Sequence, residues 1–215
     1  MMAASASPEI QELVDNPVEA LHVELKAWLD LSDRETRAKT ARHLAALANY
    51  GGGYLVIGVR DDLQLDEAGH PGNLAAFSAD QFGGIIDRYL TPAFQCDVAA
   101  VTPAVGGRPC IVVRIPSHGS VPVCAKANGP ENGKGNLVGV RQGEHYIRVP
   151  GPKSVAIDSA EQWQPLIRRC VMNDHQSLLE SFGRLLHPVE PAKPAATFSL
   201  REWHDACRKQ YEDAL

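Results

Sequence analysis

Cysteine is scarce and never clustered: Cys96, Cys110, Cys124, Cys170 and Cys207 stand apart, with no C-x-x-C pair among them. An odd, scattered set argues against a zinc module or a disulfide framework, and predicts reduced thiols in a cytoplasmic protein. Long apolar runs are missing too. No stretch approaches the roughly 20 residues of a membrane-spanning helix. The opening "MMAASASPEI" has no basic segment leading into an apolar one, so neither a membrane partner nor a signal peptide is expected. A basic excess is also absent. With 21 Lys and Arg against 26 Asp and Glu, the formal net charge is -5. That excludes a general polyanion-coating protein, because non-specific nucleic-acid affinity comes mainly from Lys and Arg. A local basic groove stays open, since the local field counts for more than the total. No GKS or GKT accompanies the glycine run Gly51–Gly53. The run follows a helical segment and precedes a strand, so the helix dipole points the wrong way for a phosphate loop. A helix stop and tight turn is the better reading.

What is present suits a soluble globular chain. Its 215 residues, 44% hydrophobic and 22% charged, allow one good-sized domain and an appendage. "SPEIQELVDNP" predicts a short helix capped by Ser7, with Pro8 at its first position. In "LHVELKAW", Leu21, Val23, Leu25 and Ala27 alternate with His22, Glu24 and Lys26, the pattern of a half-buried strand. "SDRETRAKTARHLAALANYGGG" opens with a capping box, Ser32 and Glu35, and carries the apolar stripe Ala38, Ala41, Leu44, Ala45 and Ala48. "YLVIGV" predicts a buried strand, and "SADQFGGIIDRYL" a helix capped by Ser78. "FQCDVAAVTP" and "RPCIVVRIP" predict a strand pair turned at Gly106-Gly107, and "VPVCAK" with "EHYIRVPG" a second pair. A helix follows from Ser159, which Pro165 is expected to kink or split. After the linker "HPVEPAKPAAT" comes an amphipathic helix with Leu200, Trp203 and Cys207 at helical spacing. Because the sequence stops inside that helix, it is expected to be the front part of a longer protein. Trp163 and Trp203 read as core or docking residues. No internal repeat is found.

The combination "PVEALHVELK", "ALANYGGGYLVIGVRDD" and "HYIRVPGPKSVAIDSAEQW" resembles the Schlafen-type, AlbA-like (AlbA_2) domain family over about residues 9–172. That family runs from an acidic E-S-x-x-x-E-F-K start through an A-x-A-N-T-x-G-G core ending in G-V-x-D to a Y-x-R-x-G close. Here Ala20 replaces the serine, Leu25 the aromatic and Tyr50 the threonine; one glycine is added, and Pro150 precedes Gly151. The resemblance implies a mixed α/β (α+β) fold, one mixed sheet with packed helices, over residues 1–172. Residues 173–215 then form a helical extension with a Pro-containing linker, where a further domain could begin.

Family members with nuclease activity hold Mg2+ or Mn2+ on three acids. Carried over, these are Glu19, Glu24 and Asp61, as metal ligands and catalytic residues, with Asp62 a competitor for the third place. Hard Mg2+ wants carboxylate oxygens, waters and a substrate phosphate, and Lys26 is placed to hold a phosphate oxygen or stabilise the leaving group. Five is an odd spacing. On one strand Glu19 and Glu24 would face opposite sides, and on a helix they would be about 140 degrees apart. Convergence requires Glu19 in a loop or at a bulge. Each acid reads equally as a solvated surface carboxylate.

Arg34, Arg37, Lys39 and Arg42 along one helix, with Arg148 and Lys153 from the closing motif, are candidate nucleic-acid-binding residues. Their contacts would be sequence-independent and salt-sensitive. The alternative is a solvated helix face with a Glu35–Lys39 pair, and for Arg148 a structural ion pair with one of the acids. The resemblance thus implies a metal-dependent nuclease acting on RNA (tRNA-like) or single-stranded DNA, an effector of bacterial antiviral defence, working as a homodimer or larger homo-oligomer. The rival is a non-catalytic DNA- or RNA-binding module of a transcription regulator. A third reading is a docking platform whose activity lies beyond Leu215.

Overall fold

The computed structural model describes residues 7–186. A four-stranded mixed sheet forms its centre, in the order β1 (Val23–Lys26), β2 (Gly53–Ile57), β5 (Cys110–Ile115), β4 (Asp97–Val101). β1 and β2 are parallel, and the other neighbours antiparallel. Parallel neighbours need a crossover connection, and the helix α2 (Arg34–Tyr50) supplies it. Side-chain alternation splits the apolar residues between two faces. Val23, Leu25, Val56 and Val112 join Val14 of helix α1 (Pro8–Asp15) in one cluster. Leu55, Ile57, Ile111 and Val113 join the apolar side of α2 in the larger one.

The stripe Ala38, Ala41, Leu44, Ala45 and Ala48 is buried throughout, and its small side chains let neighbouring backbone come close. A Cβ at Gly139 would collide with the carbonyl group of Ala38, at a φ of 81°. Gly53 is equally committed: a Cβ there would run into the carbonyl oxygen of His22. The glycine run therefore serves a helix end and a strand approach. Near the end of α2, buried Asn49 donates to the carbonyls of Val123 (2.8 Å) and Tyr146 (2.9 Å), and accepts from the N–H of Val123 (2.8 Å). One side chain thus ties three remote segments together.

Three expectations are corrected here. The cap of α2 is Asp33, whose carboxylate accepts from the N–H of Thr36 at 2.8 Å. Ser32 spends its hydroxyl on Asp30 at 2.6 Å, and a carboxylate suits the positive helix end better than a hydroxyl. The segment "EHYIRVPG" does not pair with "VPVCAK" beyond a single bridge, Cys124 with His145. Instead β7 (Tyr146–Val149) folds back on β8 (Lys153–Ala156) through a turn in which Gly151 takes a φ of 86°. The short β6 (Cys124–Ala125) pairs with β3 (Leu90–Thr91), just after helix α3 (Ala79–Tyr89). Finally, Pro165 does not split the last helix, since α4 (Ala160–Leu186) runs through it.

The chain divides into two compact units, Met1–Asp174 and His175–Leu215; the described part of the second is helix. The expected linker after Leu186 and the expected helix around Leu200, Trp203 and Cys207 fall outside the described residues. Among the described residues no helix is long and apolar enough to cross a membrane.

Candidate functional site

Glu24 does not lie on a wet strand face. The side of β1 that looks polar in sequence is the side packed under α2, in register with Leu55 of β2. Glu24 is accordingly 3% exposed, a carboxylate in an apolar row that requires partners. It has three. Arg148 of β7 binds one oxygen through Nη1; Lys26 lies 2.5 Å and His43 Nδ1 3.3 Å from the other. Burial pushes the Glu24 carboxyl up, but hydrogen bonds and charge from His43 and Lys26 more than reverse this and hold it at about 2. His43 is lowered too, but for the opposite reason. Burial lowers its pKa, and the adjacent Glu24 only partly opposes it.

Arg148 is fully used. Its Nε donates to the carbonyl of Leu21 (3.1 Å), and Nη2 to those of Ala20 and Val23 (both 3.1 Å). Nη1 serves Glu24 and the Ser154 hydroxyl (3.1 Å). Five donors meet five acceptors. The chain between Glu19 and Glu24 is therefore a turn wrapped on a guanidinium, closed by mutual hydrogen bonds between Ala20 and Val23. Arg148 holds this turn and is not a free backbone-binding cation.

The expected metal ligands do not come together. Glu19 lies in the irregular segment before this turn, as convergence would have required, but its side chain is exposed. Asp61 is exposed in the turn after β2, and Asp62 is paired with Arg60 at 2.8 Å. Among the described residues no group of three His, Cys, Asp or Glu side chains could hold a metal ion. Both oxygens of Glu24 already face cations, so this donor set does not fit Mg2+ or Mn2+.

A different arrangement occupies the space beside Glu24. A cavity of about 320 Å³ opens between β1 and α2, lined by Lys26, Lys39, Arg42 and His43 with Leu29 and Leu55. Thr36 and Thr40 also line it, but their hydroxyls donate to Asp33 and to the carbonyl of Thr36. No carboxylate is among the described residues of its wall. The Nε of Arg42 is buried and has no hydrogen-bond partner among the described residues. Farther along α2, Arg34 and Arg37 meet Arg88 of α3 around a second depression of about 680 Å³, where Asp87 supplies opposite charge. Lys153 is exposed at the β7–β8 turn. Of the cationic candidates on α2, Arg34 and Lys39 are exposed and Arg37 and Arg42 half-buried, and Lys39 makes the expected pair with Glu35 at 3.4 Å, whereas Arg148 is buried.

Sequence reading overlooked His43 and Asn49. Thr36, Thr40 and His43 recur at i, i+4 and i+7, which puts them on one helix face. A polar face directed at the strand carrying Glu24 and Lys26 was the available signal. For Asn49, the signal was an amide inside an otherwise apolar helical turn.

The family model described as Schlafen, AlbA_2 matches residues 19–154. Among solved structures, the chain is similar to the N-terminal domain of a putative ATP-dependent DNA helicase RecG-related protein from Nitrosomonas europaea, determined by solution NMR. Identity is 22%, over 61% of this chain and 90% of that one, with a TM-score of 0.39. No curated protein matches. The family match carries a nucleic-acid-related function with it. Its span runs from Glu19 to Ser154, and Arg148 links the carbonyl of Ala20 to the hydroxyl of Ser154 near its two ends; with more than half of its length inside that span the chain belongs to the Schlafen AlbA_2 family.

Proposed function

We propose that this chain is a nucleic-acid-binding module that grips the sugar–phosphate backbone along α2, at the cavity between that helix and β1, without cleaving it through Glu19, Glu24 and Asp61. The observation that carries this reading is the cavity lined by Lys26, Lys39 and Arg42, set beside a Glu24 already neutralised by Arg148. Such cations attract a polyanion locally even though the whole chain is acidic. Contacts of this kind go to phosphates, fix position and carry no base preference. RNA and single-stranded DNA both present a backbone that fits this description. A homodimer would set two α2 faces along one strand, and sedimentation with and without an oligonucleotide reads that directly.

The nuclease reading implied by the resemblance requires Glu24 to leave Arg148 and meet Glu19 and Asp61 around Mg2+ or Mn2+. A role as a defence effector would rest on that rearrangement. The two readings separate in one experiment. Labelled tRNA and single-stranded DNA are incubated with the protein in Mn2+ or in EDTA, across a range of salt. Retention in both buffers, weakening steadily with salt and with no shortened products, supports the binding module. Products that need Mn2+ and vanish in Asp61→Ala, a change at an exposed position, overturn it.

A further inference from the structure

We propose that the cavity between β1 and α2 is a pocket for a terminal phosphate monoester, the phosphorylated end of a strand or a single nucleotide. It rests on the binding reading above and names the part of the ligand that this site takes. Its size speaks first. About 320 Å³ lies at the small end of ligand-sized cavities, and it encloses one nucleotide rather than a run of them. Its charge speaks next. Lys26 approaches from the strand, and Lys39 and Arg42 from the helix; no carboxylate is among the described residues of the wall itself, while behind it Lys26 holds Glu24 at 2.5 Å and Lys39 reaches Glu35 at 3.4 Å. A backbone diester brings one negative charge. A monoester brings nearly two at neutral pH, together with three acceptor oxygens, and so offers these three donor side chains more than a diester does.

The donors have capacity to spare. Arg42 lines the wall, but its Nε is buried away from solvent and unpartnered among the described residues, so a phosphate oxygen would meet the guanidinium at its other nitrogens. Lys26 donates to Glu24 and to the carbonyl of Leu25, leaving one of its three hydrogens. Glu24 thereby acts as a positioning residue, holding Lys26 and His43 at the cavity wall. His43 engages Glu24 and Ser154 through Nδ1, so Nε2 is the ring nitrogen left to meet a ligand. Leu29 and Leu55 supply the apolar surface against which a sugar or base can rest. The hydroxyls of Thr36 and Thr40 are already donated elsewhere, so recognition falls to the cations.

The test compares short single-stranded RNA and DNA carrying a 5′-phosphate, a 3′-phosphate or only hydroxyl ends, by fluorescence polarisation on the intact protein. One phosphorylated end is expected to bind at least tenfold tighter than the hydroxyl-ended strand. Lys39→Ala and Arg42→Ala should abolish that ratio, whereas Lys153→Ala should weaken all strands alike and preserve it. Equal affinity for the three strands, or a ratio untouched in both cavity variants, overturns the pocket while leaving backbone binding intact. Failure to bind any strand overturns the nucleic-acid reading. In that case direct titration with adenosine 5′-monophosphate decides the pocket: saturable binding lost in Lys39→Ala keeps it as a site for free nucleotide, and no binding overturns it too.

Discussion

Arg148 and Glu24 meet across 124 positions of chain, at 5% and 3% exposure. Such a pair need not add net stability, because both charges are taken out of water, but removing one partner strands the other. Glu24→Ala and Arg148→Ala are each expected to lose about 3–5 kcal/mol, and Arg148→Ala the more, since the carbonyls of Ala20, Leu21 and Val23 lose their donor as well. The double variant Glu24→Ala with Arg148→Ala should lose less than the sum of the two. Urea unfolding of the four proteins gives the coupling; strict additivity would refute a dedicated pair.

Acid should weaken the fold in two stages. His43 has its pKa lowered by burial, so the unfolded chain binds its proton more readily, and stability falls as the pH drops below about 6.5. Glu24 is lowered from 4.5 to about 2. Its contribution is complete above pH 4.5 and disappears as the pH falls toward 2, with a total of about 3 kcal/mol. Glu24→Gln should be less stable at neutral pH and decline less steeply below about pH 4.5, the rest of that decline coming from Asp30, Asp33 and Asp62, whose carboxyls are also held down by hydrogen bonds. Unfolding midpoints measured from pH 7 to pH 3 test this; an unchanged lower stage in Glu24→Gln would reject the assignment.

Much of this architecture is written in short-range patterns. The helix caps at Ser7 and Ser78, the alanine stripe of α2 and the strand alternation of β1 and β2 all depend on neighbours within a few residues. The site is different, because its decisive contacts are remote. Period-two alternation says that Glu24 faces away from Leu25, but not that α2 and the β7–β8 turn cover that side. The ion pair with Arg148 was one of two readings open for that arginine, and only packing selects it. The pairing of β7 with β8 was misassigned for the opposite reason. A tight glycine turn brought a weakly patterned neighbour, Lys153–Ala156, closer than the better-patterned segment at Cys124.

Arginines at the α2–α3 depression should control affinity without controlling preference. Arg34 is exposed and Arg37 half-buried, and both sit away from the cavity at Lys26. Removing one cation that neutralises a phosphate lowers the slope of log affinity against log salt by about one. Arg34→Ala and Arg37→Ala are therefore expected to weaken every strand to a similar degree and to flatten the salt dependence, while the fold is unaffected to within about 0.5 kcal/mol. Polarisation titrations at several salt concentrations distinguish this from a solvated helix face, for which affinity and slope would both stay at the wild-type values.

The acidic residues outside the cavity give the sharpest contrast between the two functional readings. Glu19 and Asp61 are exposed, and neither shares a metal-sized cluster with Glu24 among the described residues. A metal bound only to the folded chain would raise its stability by mass action, by about 2.7 kcal/mol at a hundredfold excess over the dissociation constant. The arrangement of these acids predicts no such rise: millimolar Mn2+ should leave the thermal midpoint of the wild type unchanged, and Glu19→Ala and Asp61→Ala should behave like the wild type with or without it. Neutralising an exposed carboxylate near a polyanion also lowers repulsion, so both variants are expected to bind single strands as well as the wild type or slightly better. A Mn2+-dependent increase in the midpoint that disappears in both variants would mean that Glu24 exchanges Arg148 for a metal in solution, and the binding-only reading would then fall.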